Sequence, residues 1–110
     1  MLTFDNKLGG WRHKETVSAG QTSAPLYTVP GNAADETYRP VSIYVAPASG
    51  ATGLVQFTPD SLADIEAGTA VWFDWPNGSV TAKSFDGFVT PVTALRLTAT
   101  GGSVTWWALA

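Results

Sequence analysis

The segment Ala94–Ala108, ALRLTATGGSVTWWA, carries the clearest secondary-structure signal in the chain. Apolar and polar residues alternate on both sides of the Gly101-Gly102 pair, which is the pattern of two strands that each bury one face. A two-residue glycine turn between such strands predicts a β-hairpin. We therefore expect Ala94–Thr100 and Ser103–Ala108 to be neighbouring strands.

The register of this predicted hairpin separates an apolar face from a polar one. The apolar face contains Leu95, Leu97, Ala99, Val104, Trp106 and Ala108. On the polar face Arg96 lies opposite Trp107, and we expect the guanidinium to stack over the indole ring. Successive side chains of a strand point to opposite sides, so Trp106 and Trp107 cannot both belong to the core.

A second hairpin is predicted upstream, over Ala70–Trp75 and Ser79–Phe85. The linking residues Pro76-Asn77-Gly78 suit a type I turn followed by a glycine bulge, because proline presets one turn residue and glycine accepts a positive φ. Val71, Phe73 and Trp75 should then share one face, with Trp72 and Asp74 on the other.

The remaining chain predicts further short strands and a single helical turn or two. The strand candidates are Lys14–Ala19, Pro25–Val29, Arg39–Ala46 and Gly53–Thr58. In Arg39–Ala46 the residues Val41, Ile43 and Val45 should face inward, and Ser42 and Tyr44 outward. The helix candidate is Asp60–Gly68, with Asp60 or Ser61 as its N-cap and Gly68 as its end.

Together these signals predict an all-β domain of about eight short strands, arranged as an antiparallel β-sandwich or jelly roll. The chain has 110 residues, enough for one domain with a modest core. We expect residues 1–12 to form an N-terminal arm and residues 13–110 to form the domain. Gly9-Gly10 separates the two, and the arm offers apolar anchors at Leu2, Phe4, Leu8 and Trp11.

Charge is distributed unevenly along the chain. Residues 1–14 hold three basic residues against one acid, +2, whereas the rest hold three against eight, −5. A basic arm on an acidic body favours an acidic partner surface. The acidic body argues against nonspecific binding of nucleic acid. No apolar run is long enough to span a membrane, so no membrane association is expected.

The residues for catalysis or metal binding are sparse. The chain has no cysteine, and its single histidine, His13, lies at the edge of the arm, where we expect a solvent or interface residue. The acids at 60–66 suit helix capping and solvation rather than a carboxylate pair across a cleft or a calcium loop. The sequence thus predicts no enzyme activity, no metal and no cofactor.

The five tryptophans are the main indication of function. At least one of Trp72 and Trp75, and one of Trp106 and Trp107, should lie outside the core. An exposed tryptophan admits three explanations: a subunit interface, partial burial under loops, or a sugar-stacking platform. The predicted partner-binding residues are Leu2, Phe4, Lys7, Leu8, Trp11, Arg12, Trp72, Arg96 and Trp107.

Two runs, Gly68–Ala82 (GTAVWFDWPNGSVTA) and Pro91–Trp106 (PVTALRLTATGGSVTW), resemble small β-sandwich virion proteins of tailed bacteriophages. The likeness covers about half the chain. It implies a non-enzymatic structural protein, most specifically a capsid decoration (cement) protein that binds and stabilises the lattice. The partner would be the major capsid protein or another virion subunit, and the location the virion, assembled in the host bacterial cytoplasm.

The resemblance also implies a homo-oligomer, with a trimer suited to capsid symmetry. It leaves other positions in the virion open, namely a neck, tail or fibre component. From the residues themselves, the alternative function is a carbohydrate- or receptor-binding module, for which the tryptophans would supply the stacking surface.

Overall fold

The computed structural model describes residues 2–5, 10–28, 40–88 and 92–110. These residues form nine strands and one short helix. The strands are β1 (Leu2–Asp5), β2 (Gly10–Val17), β3 (Leu26–Tyr27), β4 (Val41–Pro47), β5 (Thr52–Thr58), β6 (Phe73–Asp74), β7 (Ser84–Phe88), β8 (Ala94–Thr100) and β9 (Val104–Leu109), and the helix is α1 (Leu62–Ala67).

The strands form two antiparallel sheets, which confirms the expected all-β class. The five-stranded sheet has the order β1-β2-β9-β4-β7, and the four-stranded sheet has the order β3-β8-β5-β6. One hydrophobic core takes residues from both sheets, including Ile43 and Trp106 from the first and Val55 and Leu97 from the second. The two sheets therefore bury their inner faces together.

Alternation along the strands confirms the predicted inner and outer faces. In β4, Val41, Ile43 and Val45 are buried while Ser42 and Tyr44 are exposed. In β8 and β9 the six residues expected on the apolar face are all fully buried: Leu95, Leu97, Ala99, Val104, Trp106 and Ala108. These side chains supply much of the core that holds the sheets together.

The predicted β8–β9 hairpin is wrong, because the two strands belong to different sheets. β8 pairs with β5 and β3, whereas β9 pairs with β2 and β4. The Gly101-Gly102 turn carries the chain across the core, so the predicted pairing of Arg96 with Trp107 does not occur. The apolar faces of β8 and β9 point inward as expected. The two strands face each other across the core rather than lying side by side in one sheet.

Close packing of two crossings explains why glycine is needed there. The β4–β5 connection also changes sheets, and it lies against the β8–β9 connection, with the Ala48 amide donating to the Ser103 carbonyl at 3.0 Å. A Cβ on Gly101 would lie 2.9 Å from the Gly50 carbonyl oxygen, and one on Gly102 would lie 3.0 Å from the Cβ of Ala51. Only residues without a side chain permit this approach.

The predicted 70–85 hairpin is also wrong, although its turn is present. Gly78 has φ +61° and its amide donates to the Trp75 carbonyl at 3.0 Å. The segments before and after the turn do not pair with each other, since both run along β5: Asp74 lies opposite Gln56, and Val80 opposite Gly53. The turn therefore interrupts a single edge segment that runs along β5. After this segment the chain enters β7, which belongs to the other sheet.

The helix follows the prediction closely. Ser61 is the N-cap, with its Oγ accepting the Asp64 amide at 3.2 Å, and Gly68 ends the helix at φ +76°. Ile65 is buried, whereas Leu62 remains 51 % exposed. The acids also act as expected in this segment, because Asp60 accepts the Val71 amide at 2.6 Å and Asp64 lies in the first turn.

Residues 2–5 and 10–17, which include most of the expected N-terminal arm, belong to the five-stranded sheet. β1 pairs with β2, and β2 pairs with β9 from Arg12 to Val17. The expected boundary at residue 13 thus falls inside a strand. Trp11 is only 7 % exposed and is part of the core, because β2 continues its inward alternation through this residue.

Candidate functional site

The outer face of the five-stranded sheet carries a row of large side chains at matching positions on four strands. Lys14 on β2 lies opposite Trp107 on β9, which lies opposite Tyr44 on β4, which lies opposite Phe85 on β7. We call these four residues the aromatic row. Adjacent strands are about 4.8 Å apart, so the row spans about 14 Å.

Two rings of the row stack on each other, and both are open to solvent. Tyr44 and Phe85 stack with centroids 5.8 Å apart and an interplanar angle of 26°, and Lys14 Nζ lies 5.4 Å from the centroid of the Trp107 ring. Phe85 is 72 % exposed and Tyr44 is 44 % exposed, while Trp107 is half-buried. The result is an apolar strip of three aromatic side chains on neighbouring strands, with a cation at one end.

The alternation of side chains along each strand explains why these rings face outward. Trp106, fully buried, occupies the inner face of β9, so its neighbour Trp107 must point outward. The same alternation places Tyr44 between buried Ile43 and Val45 on β4. This confirms the expectation that Trp106 and Trp107 lie on opposite faces of one strand.

Small and polar residues flank the row, and its basic end carries a second cation. Arg12, exposed, lies two residues from Lys14 on the same side of β2 and opposite Leu109. On the other flank the hydroxyls of Thr16 and Thr105 are hydrogen-bonded at 2.8 Å. This face therefore combines apolar contact area with a localised positive charge.

A second group of side chains lies on the outer face of the four-stranded sheet. The Arg96 guanidinium lies 4.1 Å from the centroid of the Trp72 ring, and its Nε–H donates to Gln56 Oε1 at 2.9 Å. The amide of Gln56 in turn donates to Asp74 Oδ1 at 2.8 Å. We call these four residues the Arg96 cluster. Partial burial lowers the pKa of Arg96 from its ordinary value, because water is withdrawn from the charged group.

Arg96 stacks on Trp72, so the predicted contact of Arg96 with Trp107 is wrong. Since β8 and β9 lie in different sheets, Arg96 and Trp107 point away from each other on opposite outer faces. Trp72 precedes the edge strand β6 and reaches Arg96 across β5, while Lys14 takes the place over Trp107. Both cation–π contacts arise from sheet neighbours that no local sequence pattern reveals.

The structure divides the predicted partner-binding residues among four environments. Arg12 and Trp107 lie on the face of the aromatic row, whereas Trp72 and Arg96 belong to the Arg96 cluster. Trp11 is buried, so the expectation that it is an exposed anchor is wrong. Leu2 and Phe4 lie in β1, and Lys7 and Leu8 fall outside the described residues.

Three members of the aromatic row are not among the predicted site residues: Lys14, Tyr44 and Phe85. The sequence does hold a signal for Tyr44, because the alternation of β4 places it outward. The sequence pattern predicts Phe85 as the last residue of a hairpin strand, and it does not reveal the pairing of Phe85 with Tyr44 through β7. Recognising the row requires the strand order, in which β9 lies between β2 and β4.

The single histidine is a core residue rather than the expected solvent or interface residue. His13 is buried, and its ring meets Trp106 edge-on with centroids 5.3 Å apart. Its Nε2 lies 3.1 Å from Glu15 Oε1, which also accepts the Trp106 indole N–H at 3.1 Å.

Within residues 2–5, 10–28, 40–88 and 92–110, no set of three acidic, histidine or cysteine side chains is arranged to hold a metal ion. In the same part of the chain, no helix has the length and apolar character required to cross a membrane. No protein-family model, curated protein or solved structure matches this chain.

Proposed function

We propose that this chain is a non-enzymatic structural protein that attaches to a larger protein assembly through the aromatic row. The observation that carries the proposal is the exposure of stacked Tyr44 and Phe85 beside Trp107 on the outer face of the five-stranded sheet. Contiguous exposed aromatic surface is uncommon on monomeric proteins and is typical of protein interfaces.

The geometry of the row suits docking onto a flat surface. Its residues project from paired strands of a sheet anchored in the core, so little conformational entropy is lost when a partner covers them. Tyrosine and tryptophan are the residue types that most often dominate the binding energy of protein interfaces. The sheet thus presents a rigid apolar strip whose burial is favourable.

The charges beside the row indicate the character of the partner. Arg12 and Lys14 place two positive charges at one end of it. A partner with acidic residues at the matching position would gain in association rate and in correct orientation. The partner surface is therefore expected to be apolar at its centre and acidic at one margin.

In its most specific form the proposal is a capsid decoration protein of a tailed bacteriophage, with the major capsid protein as partner and the virion as location. The resemblance of Gly68–Ala82 and Pro91–Trp106 to phage β-sandwich virion proteins supports this form. A homotrimer would match a three-fold position on the lattice. A neck, tail or fibre position would use the same kind of surface.

The test is binding of the purified full chain to capsids assembled from the major capsid protein encoded with it. Tyr44→Ser and Phe85→Ser together should abolish co-sedimentation with capsids, while the domain remains folded because both side chains are exposed. The matched control is Val71→Ser, which also removes an exposed apolar side chain, 60 % accessible, but away from the row.

Unchanged binding of the Tyr44→Ser/Phe85→Ser variant would rule out the row as the docking site. Loss of binding with Val71→Ser to the same extent would show that general surface hydrophobicity, rather than this face, governs attachment. Analytical ultracentrifugation of the free chain tests the trimer separately, since a monomeric mass would contradict it.

A further inference from the structure

The Arg96 cluster contains a guanidinium that is fixed in place and, among the described residues, has no carboxylate in direct contact with it. Arg96 is half-buried, stacks on Trp72 and donates through Nε to Gln56. In the part of the chain that the structure describes, no carboxylate forms a salt bridge with Arg96. A partly desolvated charge without a counter-ion is costly, so its retention calls for an explanation.

Within the described residues, the contacts of Arg96 leave the two terminal nitrogens of its guanidinium without a hydrogen-bond acceptor. Stacking on Trp72 uses the flat face of the guanidinium, and the hydrogen bond to Gln56 uses Nε–H alone. The two terminal nitrogens keep donors in the plane of the group, in the fork geometry that matches a carboxylate. Arg96 is thus held ready to bind an anion edge-on.

An acceptor lies on the same face, separated from Arg96 by one side chain. Gln56 donates to Asp74 Oδ1 at 2.8 Å while accepting from Arg96, so it holds the two charged groups apart. Asp74 is exposed, and its second carboxylate oxygen can accept a hydrogen bond from a hydroxyl group. The cluster therefore presents a carboxylate-binding donor and a hydroxyl-binding acceptor side by side.

Hydroxyl groups extend this polar face along β8. Thr98 lies two residues from Arg96 on the same side of the strand, and its Oγ is hydrogen-bonded to that of Thr22 at 2.9 Å. Leu54, partly buried, lies opposite Thr98 and adds a small apolar contact. Polar hydrogen-bonding groups around a limited apolar area are typical of ligand sites rather than of a core.

From this arrangement we infer that the Arg96 cluster binds an acidic sugar, a residue that carries a carboxylate next to hydroxyl groups. The carboxylate pairs with the terminal nitrogens of Arg96, and a neighbouring hydroxyl donates to Asp74. This site is separate from the aromatic row, since the two lie on outer faces of different sheets.

Asp74 makes the cluster a better binding site for a sugar acid than for an acidic peptide. A peptide rich in aspartate or glutamate would bring further negative charge toward the Asp74 carboxylate and be repelled. A sugar acid bears one charge and surrounds it with hydroxyls, which the carboxylate and the threonine pair accommodate. The cluster therefore favours the carbohydrate over the peptide.

The experiment is an NMR titration of the full chain, following the Arg96 Nε–H and Trp72 indole N–H signals. The probes are glucuronate, glucose and acetate, which present the carboxylate with hydroxyls, the hydroxyls alone and the carboxylate alone. Glucuronate should shift both signals and bind at least about tenfold more tightly than either of the other two.

Two variants test the geometry of recognition. Arg96→Lys keeps the positive charge but loses the fork, and it should weaken glucuronate binding about tenfold. Arg12→Lys makes the same change on the face of the aromatic row and should leave binding unchanged. Amide spectra of both variants establish that the fold is retained.

Four results would overturn the inference. Glucuronate that shifts neither signal, or that binds no more tightly than glucose, would show that Arg96 recognises no acidic sugar. Acetate that binds as tightly as glucuronate would show a carboxylate site without sugar recognition, as an acidic peptide would use. Equal affinity of the Arg96→Lys variant and the unchanged chain would remove the guanidinium from the site.

Discussion

Gly101 and Gly50 lie in direct contact at the corner where two chain crossings between the sheets meet. A Cβ added to Gly101 would lie 2.9 Å from the Gly50 carbonyl oxygen, and Gly101 itself has φ +75°. The corner thus depends on glycine both for its backbone conformation and for space. These two requirements can be separated, because Gly20 shares only the first of them.

Gly101→Ala should destabilise the domain more than Gly20→Ala does. Gly20 has φ +76° with nothing within 4 Å of an added Cβ, so its substitution costs only the left-handed conformation, about 1 kcal/mol. At Gly101 the backbone must also shift, and we expect about 2–4 kcal/mol in total. Urea unfolding of the two variants measures the difference, and equal losses would contradict the packed corner.

Trp106→Phe and Trp107→Phe make the same chemical change on opposite faces of β9. Trp106 is fully buried and donates to Glu15 Oε1, so its replacement leaves a cavity and removes a hydrogen bond, at a cost of about 1–3 kcal/mol. Trp107 is half-buried on the outer face and has no hydrogen bond like that of Trp106 among the described residues, so its replacement should cost less, under about 1 kcal/mol. Denaturant midpoints of the pair give the comparison. A larger loss of stability for Trp107→Phe than for Trp106→Phe would contradict the placement of Trp106 in the core.

The stacked Tyr44 and Phe85 rings should be energetically coupled. They lie opposite each other on β4 and β7 with centroids 5.8 Å apart. A double-mutant cycle with Tyr44→Ala and Phe85→Ala should give a coupling of about 0.5–1 kcal/mol in the free energy of unfolding. Additive single-variant losses would indicate that the rings are not in contact in solution.

Ser61→Ala should cost about 1 kcal/mol through loss of the helix cap, because the Asp64 amide would lose its acceptor. Ser79→Ala, at an exposed serine outside helix and strand, is the matched control and should be neutral. Thermal unfolding of both variants checks the difference. Ser61→Asp should restore most of the lost stability, and failure to do so would argue against capping.

Local features of this fold were predictable from the sequence. The helix at 62–67 has its cap, its buried residue and its terminal glycine within a few positions, and the turn at Gly78 depends only on its own neighbours. Strand alternation also assigned faces correctly, as in β4 and β9. Each of these signals arises from residues that are adjacent along the chain.

Strand partners were not predictable in the same way. Gly101-Gly102 suits a tight hairpin and an equally short crossing between sheets, and the choice depends on the Gly50–Ala51 segment that packs against it. Likewise, the stacking of Trp72 on Arg96 requires β5 to lie between β6 and β8. The faces of the strands were foreseen, but the composition of each outer surface depended on this order.

The position of β9 also governs the order in which the chain can fold. β9 is the middle strand of the five-stranded sheet, and both β2 and β4 take it as a hydrogen-bonded neighbour. During synthesis, β2 and β4 must wait for their shared partner until residues 104–109 have emerged from the ribosome. Since β9 follows all the other described strands in chain order, completion of this sheet, and with it the assembly of the aromatic row, comes after the synthesis of those strands.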